Sequence, residues 1–69
     1  MKAAVDAAVR TTVDVTSDFR PDRTIPRGTQ GHVLEAYESP REGYAVELDL
    51  GDDDVEVVTL YPEQFDVVD

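Results

Sequence analysis

The residues able to do chemistry are few in kind: a single histidine, no cysteine, and sixteen carboxylates in a chain of 69 residues. His32 has no cysteine and no second histidine to complete a metal set. General acid–base work would need a substrate pocket that so short a chain has little material to build. His32 therefore reads as a partly exposed strand residue. The run Asp52-Asp53-Asp54, with Asp49 and Glu56 near it, offers the oxygen ligands that calcium takes, but without the glycine and glutamate positions of an EF-hand loop. Aspartates suit a solvated hairpin tip, so no metal or other cofactor is expected. Carboxylates for glycoside or proton chemistry are abundant, and nothing singles out a pair with separated pKa values. Gly28 and Gly31 fit neither the P-loop nor the dinucleotide fingerprint. They are expected to serve the backbone, allowing positive φ and close approach where a loop enters a strand. Catalysis is not expected from this set of groups.

What the carboxylates do supply is a field. Residues 1–34 carry a net charge of +1 and residues 35–69 one of −11, giving the whole chain −10. Such a field repels nucleic acid, whose phosphates need lysine and arginine to neutralise them. Anionic membranes are disfavoured for the same reason. A basic protein surface is attracted. The alternative is that the acidity only keeps the protein soluble, as in salt-loving organisms. No apolar run approaches the ~18 residues of a membrane span, and no signal peptide is visible, so the expected location is the cytoplasm.

The elements that position these groups follow from the alternation of apolar and polar residues. A chain of this length makes one domain with a thin core. Residues 1–8 (MKAAVDAA) read as a flexible tail, and 9–69 as the domain. Val9–Val15 is a strand, with Val9, Val13 and Val15 expected to face the core and Thr11 to join them. Thr16–Gly28 holds two prolines and reads as a long loop through which no ladder runs, anchored by Phe19 and Ile25. Gly31–Tyr37 is the second strand. Its alternation leaves open whether His32, Leu34 and Ala36 or Val33, Glu35 and Tyr37 face inward. Tyr44–Leu50 alternates cleanly, with Tyr44, Val46, Leu48 and Leu50 on one face and Ala45, Glu47 and Asp49 on the other. Gly51–Asp54 is a hairpin turn, and Asp54–Leu60 returns as the fourth strand. Tyr61–Gln64 reads as one helical turn opened by proline, and Phe65–Val68 as a closing strand. Five short strands with these loop lengths predict an all-β fold, a small five-stranded SH3-like barrel.

The segments IPRGTQGHVLEAY, GYAVELD and VVTLYPEQFDVV resemble a family of short bacterial SH3-like domains of uncharacterised function. That family reads G-D-x-G-T-V-x-E, then Y-x-V-E-F, then L-T-L-x-x-x-Q-L. Gly28 and Gly31 match its glycines, Glu35 its acid, Tyr44, Val46 and Glu47 its middle strand, and Thr59, Leu60 and Gln64 its end. The chain departs at Thr29, where the family has aspartate, and in a longer loop before Arg27. A weaker likeness, through Arg27-Gly28-Thr29-Gln30-Gly31, is to the SH3-like part of the nitrile hydratase beta subunit. In size and acidity the first group resembles antitoxins and immunity proteins, which implies an inhibitor of a basic partner protein. The second likeness implies an accessory domain that stabilises or assembles an enzyme.

On the residues themselves, the expected partner-binding face is acidic. Glu47 and Asp49 are placed opposite Glu56 and the Asp52, Asp53 and Asp54 turn, a like-charge cluster that a basic partner would relieve. Tyr37, Tyr44 and Tyr61 are the expected aromatic anchors beside it.

Overall fold

The computed structural model describes residues 1–68, so the expected domain end at residue 69 lies outside the described residues. Among the described residues the chain is an all-β domain of short strands with a single 3-10 turn. In chain order the strands are β1 (Ala8–Thr11), β2 (Val15–Thr16), β3 (Thr24–Ile25), β4 (Gln30–Tyr37), β5 (Gly43–Gly51), β6 (Asp54–Leu60) and β7 (Phe65–Val67). The 3-10 turn, Pro62–Gln64, precedes β7. Five strands form an antiparallel sheet in the order β6-β5-β4-β1-β7, and β2 and β3 make a separate ribbon. β6 and β7 are the ends of the large sheet and do not pair with each other among the described residues.

Strand alternation explains the core. Tyr44, Val46 and Leu48 from β5 meet Val58 and Leu60 from β6, with Val33, Val9, Ile25 and Phe65 closing over them, all essentially buried. Tyr44 and Phe65 pack edge to face with centroids 5.2 Å apart, the arrangement that ring quadrupoles favour. The turn before β7 is fixed by the Tyr61 N–H donating to Gln64 Oε1 at 2.9 Å. Proline opens it without costing a hydrogen bond.

Several expectations are corrected, and the open reading of β4 is resolved. The segment from Val9 to Val15 is not one strand: the chain bends after Thr11, which leaves Val13 exposed while Thr11 is buried. The long loop does carry a ladder, Val15 opposite Ile25 and Thr16 opposite Thr24, because Pro21 and Pro26 fall outside the pairs. Ile25 anchors that loop as expected, but Phe19 is 80% exposed and is no part of the core among the described residues. On β4, neither alternating set is correct by itself. A bulge between Val33 and Glu35 changes the phase, so Val33 and Ala36 both face the core. An extra residue on one strand does this because side chains alternate with period two.

The N-terminal segment, expected as a flexible tail, is packed against the sheet. Ala3 lies in the core cluster. The buried Tyr44 hydroxyl accepts the N–H of Lys2 at 2.8 Å and of Ala3 at 3.3 Å and donates to Glu42. The Lys2 ammonium sits 4.8 Å above the Phe65 ring and donates to the Pro62 and Phe65 carbonyls, a cation–π contact. Asp6 N–H and Ala7 C=O continue the segment onto Val33.

This arrangement predicts a pH dependence. The Tyr44 hydroxyl, and next the Lys2 N–H, hold the Glu42 carboxyl below its ordinary value of 4.5. A depressed carboxyl contributes stability above its unfolded value and loses it as pH falls through the folded one. As pH falls through that lowered value, the hold on the N-terminal segment should therefore weaken. Glu42→Gln should flatten that acid limb in a pH series of Lys2 and Ala3 amide signals, whereas an unchanged limb would remove Glu42 from the account.

Candidate protein-docking face

The hairpin joining β5 to β6 decides which side chains share a face. Asp52 and Asp53 both have positive φ, 52° and 61°, the geometry of the two-residue turn that matches strand twist. Gly51 is also left-handed at 88°, and its N–H donates to Asp49 Oδ1 at 2.9 Å. Gly51 pairs with Asp54, and a plain ladder from there would set Asp49 opposite Glu56. A register shift between Asp49 and Gly51 instead pairs Asp49 with Val55, Leu48 with Glu56 and Glu47 with Val57.

That shift divides the expected site. Directly opposed residues share a face, so the outer face of β5 and β6 carries Glu47, Asp49, Val55 and Val57. Glu56 turns inward and is buried, and the expected cross-strand cluster of like charges does not form. There, the Ser17 hydroxyl donates to the Glu56 carboxylate, and Arg23 lies 3.5 Å from its other oxygen. Arg23 also pairs with Asp54 at 2.5 Å. That hydrogen bond holds the Asp54 carboxyl low and the guanidinium high. One loop arginine thus neutralises part of the acidic turn from within, leaving Asp49, Asp52 and Asp53 exposed.

The tyrosines separate in the same way. Tyr44 is fully buried and belongs to the core, so its ring is no surface anchor. Tyr37 and Tyr61 meet across a cleft of about 380 Å³ that Pro40, Arg41 and Thr59 complete. Tyr37 donates to Glu35 at 2.7 Å, which pushes its hydroxyl pKa up. The Arg41 guanidinium stacks 3.7 Å over the Tyr61 ring and donates to Glu63 at 2.9 Å.

The features missed from sequence are apolar. Val55 and Val57 are 49% and 38% exposed on the outer face, and Leu34 at the β4 bulge is 36% exposed. His32 stands opposite Glu47, its Nε2 3.9 Å from Glu47 Oε1. Only the register shift exposes these valines. The visible signal was the doubled valine at 57–58, which puts apolar residues in both phases of one strand.

Among the described residues, no group of three or more histidine, aspartate or glutamate side chains is placed to hold a metal ion, and no helix is long and apolar enough to cross a membrane. No family model, no curated protein and no solved structure matches the chain.

Proposed function

We propose that this chain is a small acidic protein-binding domain that acts by contact rather than catalysis, an antitoxin or immunity-type inhibitor of a basic partner protein in the cytoplasm. The observation that carries this reading is the outer sheet face, where exposed Val55 and Val57 alternate across strands with Glu47 and Asp49. A surface serving solubility alone gains nothing from exposed valines. A docking face uses both, an apolar centre for contact area and a charged surround for selecting partners. The proposed mechanism is electrostatic capture followed by packing: the acidic field speeds association, and the apolar contacts slow dissociation. Carboxylates would then occupy positions that phosphates take on a basic target. We extend the proposal to an SH3-like arrangement. Support for it comes from β1 lying between β4 and β7, and from the single 3-10 turn before the last strand.

The test is capture of a stoichiometric basic partner from native lysate by the intact chain, with its activity assayed in parallel. Glu47→Lys with Asp49→Lys should weaken capture by about tenfold or more, since rim charges on a steered interface act on association. Both side chains project from the sheet, so folding should be preserved. Unchanged capture by the folded double variant would remove this face from the proposal.

A further inference from the structure

Strand β6 ends the sheet, and its free edge is only partly closed. The Thr59 N–H points away from β5 and is taken by Asp18 Oδ2 at 3.2 Å. In an antiparallel pair, alternate residues direct N–H and C=O to the same side. The backbone groups of Val57 and Val55 therefore also point away from β5, and no side chain or loop backbone among the described residues bonds to their N–H groups. Folded proteins normally guard such an edge with lysine, proline or a covering segment. Here the guard stops at Asp18, and the two unpaired residues carry exposed valine side chains.

Resting on the docking proposal above, we infer that the β6 edge accepts an extended basic segment of the partner as an added antiparallel strand, paired through Val55 and Val57. Charge selects this occupant. An added strand lies between the acidic turn at Asp52 and Asp53 and the carboxylate of Asp18, and long basic side chains on its outer face reach toward Glu47 and Asp49. Phe19, next to the Asp18 clamp and 80% exposed, supplies an aromatic anchor at one end. A second copy of the chain fits poorly. Pairing Val55 with Val57 across a two-fold axis sets Asp53 of each copy against Thr59 and its Asp18 clamp in the other, between chains that each carry −10. Strand addition takes affinity from main-chain hydrogen bonds and specificity from alternate side chains.

The probe is a short synthetic peptide of alternating lysine and valine, added to the whole protein at low salt. Amide exchange of Val55 and Val57 should slow by about tenfold or more, because pairing protects an N–H. The same peptide N-methylated on alternate residues, prepared in both phases, should lose this protection in one phase and keep it in the other. Phe19→Ala should weaken peptide binding by about tenfold with an unchanged melting transition. Binding that both methylated peptides retain, with Val55 and Val57 exchanging freely, overturns strand addition while leaving an acidic docking face intact. No binding by any of the peptides overturns both. Protection of the two valines in peptide-free protein that grows with concentration overturns the inference in favour of self-pairing.

Discussion

Replacing Gly31 by alanine is expected to destabilise the chain by about 3 kcal/mol or more, a large share of its stability. A Cβ at this position would stand 2.2 Å from the Glu47 carbonyl oxygen and 3.0 Å from Leu48 Cδ2. The leucine can turn aside, but the carbonyl cannot. Gly31 pairs with Leu48 on one side and Val9 on the other, so β4 is held between two neighbours and has no direction in which to retreat. Overpacking a core that can still adjust costs about 1–3 kcal/mol, and a clash with paired backbone lies at or above the top of that range. A domain of this length has roughly 3–10 kcal/mol in total to lose. Gly28→Ala is the control. Its φ of 89° makes any side chain strained, yet nothing lies within 4 Å of the new carbon, so about 1 kcal/mol is expected. Urea unfolding followed by circular dichroism separates the two. A G31A protein as stable as wild type would show that Gly31 does not face Leu48, and the β4–β5 register would have to be redrawn.

The strands were legible because their alternation is regular, and the errors arise where regularity stops. β6 has the limits its pattern predicts, and β5 differs by one residue at each end. Gly28 and Gly31 take the two backbone roles expected of them, positive φ at one and close approach at the other. The site was less legible because two single-residue bulges decide it. One at Leu34 turns both Val33 and Ala36 inward, and one beside Gly51 exchanges Glu56 for Val55 and Val57 on the outer face. A bulge leaves little trace in composition when both phases of a strand contain apolar residues, as in the stretch 55–60. The packed N-terminus was hidden for another reason. Its partners, Tyr44 and Phe65, lie some forty and sixty residues away, and alanines carry no local signal of such contacts.

The inward turn of Glu56 yields the second large effect. Reversing all three strand acids together, Glu47, Asp49 and Glu56, would look like loss of binding for a reason unrelated to any partner. Glu56→Lys alone removes the acceptor of the Ser17 hydroxyl and places an ammonium beside the Arg23 guanidinium, in a position only 6% exposed. Ser17 itself gathers the Phe19 and Arg20 N–H groups at 3.3 and 3.0 Å, so the loop from Ser17 to Arg23 is stapled to β6 through this carboxylate. Setting an uncompensated ammonium at this buried position costs about 3–5 kcal/mol, a large share of what so small a domain possesses. Glu47→Lys and Asp49→Lys, on the outer face, should each move stability by no more than about 0.5 kcal/mol. Urea midpoints for the three single variants should therefore fall into two groups, with Glu56→Lys alone far below wild type. Glu56→Gln, which keeps an oxygen acceptor for Ser17, should recover part of the loss. Equal midpoints for all three lysine variants would mean that Glu56 shares the solvent-facing side with Glu47 and Asp49, with Asp49 opposite Glu56 as the plain hairpin register predicts.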